Sequence, residues 1–238
     1  MTAESGNERT GARRDSTTAE AMVDAAMVGE RDLPRVGVLL AGGASRRMGR
    51  PKALIEGADG ETFLARLCRV LRDGGCDAVI VVAGCHVAEI ARCLPPSVLL
   101  VRNDEWQLGQ LSSVRRGLDA ALRFGPRRVA LHLVDQPWIA PSDVRALLDV
   151  EAAFDLAIAT HGGEPGHPIS LSPGLARAIA RDDVSKTLRE SLERHAPGRL
   201  LVEGTAGCVR GANTPEELSA LTRFAASIQE EASRPPRN

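Results

Sequence analysis

Apolar residues first gather at positions 36–41, a run that does not alternate with polar residues and ends in Gly42-Gly43. Such a run reads as a strand buried on both faces, as in a parallel sheet. Residues 78–83 and 129–134 repeat the pattern, and 98–101 and 156–160 are shorter versions of it. Between these runs the apolar period lengthens to three and four. Phe63, Leu64, Leu67, Val70 and Leu71 share one helical face, with Thr62 placed to cap the helix and Gly74-Gly75 to stop it. Further helices are predicted over 87–94, ended by Pro95-Pro96, over 112–124, and over 141–150 with Ser142 as cap. Helices near 174–180 and 184–195, short strands at 200–202 and 208–209, and a last helix over 215–229, capped by Thr214 or Asn213, complete the chain. Alternating strands and helices predict an α/β fold of three αβα layers, Rossmann-like, around a mostly parallel sheet. Ligands bind such sheets beyond the carboxyl ends of the strands, so chemistry is expected in the loops that follow strands.

Residues 1–34 lack a sustained period and are rich in Thr, Ala, Glu, Arg and Gly. They are expected to be a disordered or weakly helical leader, with a short helix over 19–28 at most. Residues 233–238 read as a tail, which leaves 35–232 as the expected domain. The net charge of −1 gives no general attraction to nucleic acid or to a membrane. With four Phe, two Trp and no Tyr, the chain has few platforms on which single-stranded bases could stack. No apolar stretch approaches the ~20 residues of a membrane span. Arg13-Arg14 is followed by no apolar region, which argues against an export signal. Cys68, Cys76, Cys85, Cys93 and Cys208 form no CxxC pair, and their odd number and irregular spacing point to reduced thiols and a cytoplasmic location.

The loop after the first strand runs from Leu40 and Ala41 through Gly42, Gly43, Ala44, Ser45, Arg46, Arg47, Met48, Gly49, Arg50 and Pro51 to Lys52. Small residues let backbone N–H groups come close to phosphate oxygens, and Arg46, Arg47 and Lys52 add cationic charge. A P-loop would need Lys directly after the last glycine, but Gly49 is followed by Arg50-Pro51. A dinucleotide fingerprint would need an acid after the second strand, and that strand ends in Ala83-Gly84-Cys85-His86. A kinase glycine loop lies in a hairpin, not after a parallel strand. The ordered pattern LAGG-x-S-x-R-M-G-x-P-K resembles the signature of the MobA-like NTP transferases, and the resemblance extends over roughly residues 35–225. It implies a nucleotidyltransferase fold, and binding of an NTP by Leu40, Ala41, Gly42, Gly43, Arg46, Arg47 and Lys52.

Later segments agree with the resemblance. Asn103, Trp106 and Gly109 precede Ser112-Ser113 and Gly117, similar to the family's segment after the third strand, where a helix start contacts the nucleotide. This implies nucleotide contacts from Asn103, Gly109, Ser112 and Ser113. Taken alone, the serines read as an ordinary helix cap. Asp135-Gln136-Pro137 closes the very apolar fourth strand, and Asp135 resembles the family's metal-binding aspartate. By itself it reads equally as an Asp in a proline turn. Mg2+ favours one or two carboxylates with substrate phosphates. Gly166-His167-Pro168 resembles a motif beside the acceptor substrate, with His167 either donating to an acceptor phosphate or serving a turn. Gly211-Ala212-Asn213-Thr214-Pro215-Glu216-Glu217-Leu218 resembles the closing motif, so Asn213 is expected near the metal with Asp135. Gly211 departs from the family's Asp or Asn and removes one candidate ligand. The same stretch also reads as a helix start, with Pro in the first turn and acids at the positive end of the dipole.

The resemblance thus implies an enzyme that moves an NMP unit from an NTP to a phosphorylated acceptor with release of pyrophosphate. Arg47, Lys52 and Asp135 are the expected catalytic residues. The loop's Gly42-Gly43 looks like the GTP-using branch. The spacing of Gly49-Arg50 from Pro51-Lys52, the Ser112-Ser113 segment, Asp135-Gln136-Pro137 and Gly166-His167-Pro168 look like the CTP-using branch. CTP and a molybdenum cofactor (molybdopterin) acceptor are therefore expected, with GTP, or a sugar-phosphate acceptor, as alternatives. A non-catalytic nucleotide-binding module acting as a chaperone for a molybdenum enzyme is the other class, and Gly211 keeps it open.

Overall fold

The computed structural model describes residues 33–232, with side chains through residue 224. The expected leader helix over 19–28 and the tail at 233–238 lie outside the described residues. Seven strands form one sheet: β1 (Arg35–Ala41), β2 (Ala78–Ala83), β3 (Val98–Arg102), β4 (Arg128–Leu133), β5 (Leu156–His161), β6 (Glu164–Leu171) and β7 (Leu200–Glu203). Their order is β3-β2-β1-β4-β6-β5-β7. β6 runs antiparallel to both of its neighbours, and every other pairing is parallel. Among the described residues seven helices accompany them, the last following β7: α1 (Phe63–Asp73), α2 (Val87–Cys93), α3 (Gln110–Leu122), α4 (Pro141–Leu148), α5 (Pro173–Ala180), α6 (Leu188–His195) and α7 (Pro215–Ala232).

Period-two side chains divide each central strand between two cores. Leu39 and Ala41 of β1, with Val79, Val81 and Ala83 of β2, face one layer built on Leu64, Leu67, Leu71, Ile90, Val144 and Leu147. Val36, Val38 and Leu40, with Ile80 and Val82, face the other, built on Leu111, Val114, Leu118, Leu175 and Ile179. Apolar runs with no alternation are what such a two-sided sheet requires, and the expected αβα arrangement is observed.

Four local readings differ. β6 was not anticipated as a strand: it carries Gly166 and Pro168, which are disfavoured inside strands. The ladder between β5 and β6 changes register between Ile158 and Thr160, and the glycine and proline sit at that irregularity. Cys208 lies in a short 3-10 turn (Ala206–Val209), not in a strand. α6 begins at Leu188, not at residue 184, where Thr187 accepts from the Glu190 N–H and Glu190 accepts in return from the Thr187 N–H. Ser142 does not cap α4. Asp143 at the third helical position accepts instead from the Ala140 N–H at 2.8 Å. The same carboxylate accepts from the Thr205 N–H at 2.9 Å and from its hydroxyl at 2.7 Å.

Thr62 caps α1 by accepting from the Ala65 N–H, and Thr214 accepts from the Glu217 N–H at the start of α7. All five cysteines are unpaired, and burial raises the thiols of Cys68, Cys76 and Cys208 to about 12. Among the described residues no helix is long and apolar enough to cross a membrane.

Asp143 is 4% exposed, so Asp143→Ala strands three donors at once. It is expected to lower unfolding free energy by about 2–4 kcal/mol, measured by urea titration. Ser142→Ala is expected to stay within about 0.5 kcal/mol of the parent.

Candidate active site

Loops from the carboxyl ends of β1, β2, β3 and β4 enclose a cleft of about 550 Å3. The volume suits a nucleotide-sized ligand. The β1 loop has no regular structure beyond two 3-10 turns, Arg46–Met48 and Lys52–Leu54. Buried Met48 and Ala53 pin it to the core and leave Arg46 and Arg47 exposed. Ser45 occupies the left-handed region at φ 50°, a conformation that costs a non-glycine residue energy, and its hydroxyl accepts from the Lys52 N–H at 3.1 Å.

Leu40, Ala41, Gly42, Gly43, Arg46, Arg47, Lys52, Gly109, Ser113, Asp135 and Asn213 all line this cleft. Lys52 and Asp135 therefore share one face of the sheet's carboxyl edge. The Lys52 Nζ lies 3.2 Å from Asp135 Oδ2 and donates at 2.7 Å to Asn213 Oδ1. The glycine loop, the β4 turn and the entry to α7 thus converge on one cation.

The turn that carries Asp135 is held from below and above. Arg66 of α1 donates from Nε to the Pro137 carbonyl at 2.8 Å while its guanidinium lies 4.3 Å from the Trp138 ring centre. The Ala212 N–H donates to the Asp135 carbonyl at 3.0 Å. Gly211 has a packing reason to be glycine: a Cβ there would stand 3.1 Å from the Asp135 carbonyl oxygen and from Gln136 Cγ. Where the resemblance leads one to expect an Asp or Asn, the chain has a close backbone contact.

Asn103 and Ser112 do not reach the cleft. They are buried behind its wall, where the Asn103 amide donates at 2.9 Å to both Ser112 Oγ and Ser113 Oγ. Asn103 Oδ1 accepts from the Glu105 N–H. This network sets Ser113 against Gly42. A Cβ on Gly42 would come within 2.7 Å of the Ser113 hydroxyl, and one on Gly84 within 2.5 Å of the Gly42 carbonyl. The three loops interlock through missing side chains.

Gly166, His167 and Pro168 lie on β6, outside the residues that line the cleft. His167 sits edge-on to His132 at 6.4 Å between ring centres. His132 is fully buried, and its Nε2 lies 2.9 Å from the Gln136 carbonyl, so the proton belongs on Nε2. Burial drives His132 down to about 3 and His167 to about 4, the second opposed by the nearby Asp135 charge. Both rings are neutral at neutral pH. The sequence reading missed His132 and also the cleft residues His86 and Gln110, and it named Trp106 in a motif without giving it a role. His132 sits inside an apolar strand, and His86 follows Gly84-Cys85 in a loop with no pattern to mark it.

An open α/β sheet whose parallel strands deliver a basic glycine loop and a carboxylate to one crevice defines a nucleotide-handling α/β protein. A family model described as a MobA-like NTP transferase domain matches residues 37–199, and the chain belongs to that family. It is a nucleotidyltransferase of MobA-like type. The chain is 34% identical over 163 residues to nicotine blue oxidoreductase of Paenarthrobacter nicotinovorans, a match covering 64% of this chain and 78% of that protein. It is 29% identical over 195 residues to a probable molybdenum cofactor guanylyltransferase of Rhodopirellula baltica, covering 78% and 90%. The crystal structure of Rv0371c in complex with manganese, from Mycobacterium tuberculosis H37Rv, superposes with a TM-score of 0.66 at 25% identity, covering 80% of this chain and 98% of that one. The aligned part covers 35% of one curated relative's length and 90% of another's.

The depressed histidines predict an acid-labile site. Their ordinary value is 6.5, so as pH falls from 6.5 toward 5 the unfolded chain takes up protons that the folded chain refuses. Stability present above pH 6.5 is therefore lost on acidification through this window, while most carboxylates are still ionised. Urea titrations at pH 7.5 and 5.5 are expected to show a smaller loss for His132→Gln than for the parent. Equal losses would show that His132 does not take part.

Proposed function

We propose that the cleft binds an NTP through the glycine loop and transfers its NMP unit to a phosphorylated acceptor, with a divalent metal held by Asp135 and Asn213. The observation that carries this reading is the single cationic point shared by Lys52, Asp135 and Asn213. The donor set fits a metal such as Mg2+: one carboxylate oxygen and one amide oxygen, both hard, already converge on the Lys52 ammonium. When bound, such an ion would neutralise charge on the phosphate oxygens.

The chain's own residues supply the rest by position and charge. The acceptor's phosphate oxygen forms a bond to the α-phosphorus as the bond from that phosphorus to the β-phosphate oxygen breaks, and pyrophosphate leaves with the electron pair. Arg46, Arg47 and Lys52 offset the charge of the triphosphate. Backbone N–H groups of the glycine loop and the start of α3, with Ser113, hold the nucleotide. Asn103 and Ser112 act from behind, by fixing Ser113. The acceptor is already an anion, so no general base is required. His167, on the strand beside Asp135, faces the acceptor side in this reading.

CTP as donor and molybdenum cofactor as acceptor follow from the motifs after the first loop. GTP is the second reading, favoured by Gly42-Gly43 and by the name of the Rhodopirellula relative. A thermal-shift screen of CTP, GTP, UTP, TTP and ATP with Mg2+ identifies the base, because the bound nucleotide raises apparent stability by mass action.

Asp135→Ala and Lys52→Ala are each expected to lower pyrophosphate release, with molybdenum cofactor as acceptor, by at least about 100-fold in kcat/KM. Near-parental turnover of Asp135→Ala would remove the metal assignment. A change confined to the acceptor's KM in Lys52→Ala would mean that the triphosphate lies elsewhere.

A further inference from the structure

The backbone at 42–44 has almost no side chains with which to anchor itself. A Cβ on Gly43 would meet nothing within 4 Å, so neighbouring protein does not confine that position. The loop's shape depends on holds applied from outside. One is the Cys85 N–H, which donates to the Gly42 carbonyl at 3.2 Å. The next residue supplies another: His86 Nε2 lies 3.2 Å from the Ala44 carbonyl oxygen. On its other side His86 Nδ1 lies 3.1 Å from Glu89 Oε2, one turn along α2. Both ring nitrogens therefore face oxygens, one on the loop and one on α2. The side chain is 23% exposed and shares the cleft with Arg46, Arg47, Lys52 and Asp135.

We propose that His86 is a positioning residue for nucleotide binding: it holds the Ala44 carbonyl and so sets the glycine loop in its binding shape, with Glu89 orienting the ring. Because the peptide unit is planar, fixing the Ala44 carbonyl also fixes the direction of the Ser45 N–H. A loop already in shape loses less freedom when the ligand arrives, so the hold is expressed as affinity. The assignment rests on the reading of this cleft as an NTP site.

The test uses the full chain and isothermal calorimetry with CTP and with GTP, each with Mg2+, for the parent and three variants. Gln places its amide nitrogen near the Nε2 position, whereas Asn reaches only the Nδ1 position. His86→Gln is expected to bind the preferred nucleotide within about threefold of the parent, while His86→Ala and His86→Asn weaken it roughly tenfold. All three are expected to keep the parent's Tm without nucleotide, since a structural role alone would show there. Equal affinity in all four proteins overturns the assignment, and so does equal weakening in Gln, Asn and Ala. If the parent binds none of CTP, GTP, UTP, TTP and ATP, the NTP reading of the cleft fails and this assignment fails with it.

Discussion

Three stretches of chain far apart in sequence end on one ammonium group. Lys52 follows the first strand, Asp135 lies 83 residues later and Asn213 161 residues later, and each places an oxygen or a nitrogen at the same point. That meeting constrains the topology. β1 and β4 must be parallel neighbours, so that their carboxyl ends lie side by side. The chain before α7 must then fold back across the turn after β4. It does so through the Ala212 bond to the Asp135 carbonyl and the close approach that Gly211 permits. The crossing of Arg66 over Trp138 holds the same turn from the helical layer beneath.

Around this point the protein separates shape from charge. The glycine loop offers backbone and arginines but cannot fix itself. Beyond its own Ser45 closing on the Lys52 N–H, its neighbours fix it: Ser113 from α3, and Cys85 and His86 from the β2 loop. Asn103 belongs to the same scaffold. A buried amide that makes bonds to two hydroxyls and a backbone N–H costs little, because its polar atoms are satisfied, and it defines one position for Ser113.

The parts legible in the sequence were those whose physics is local. Unbroken apolar runs announced the sheet, because a strand covered on both faces has no polar side to display. Asp135 stood out as the first charge after such a run, and the glycine loop as a break in composition at a strand end. What stayed hidden depends on distant partners. Ser142 is the better cap by propensity, yet Asp143 takes the role because Thr205, 62 residues away, offers two more donors to the same carboxylate. Gly166 and Pro168 are disfavoured inside a strand, and only the register change beside β5 accommodates them. His86 and His132 carry no local pattern at all, since each is defined by a carbonyl that folding brings to it.

The central ion pair is also suited to being given up. The side chains of Lys52 and Asp135 are 14% and 25% exposed, so solvent reaches the pair and screens it. Pairs in such surroundings contribute on the order of 1 kcal/mol, far less than a buried pair costs to break. Lys52 neutralises Asp135 and keeps the oxygens of Asp135 and Asn213 together. In the proposed complex Asp135 and Asn213 would hold a divalent ion that neutralises phosphate charge, with Lys52 facing the triphosphate. A lysine buried deeper would hold the site more firmly and bind nucleotide less readily, and one further out would leave Asp135 and Asn213 without a common partner.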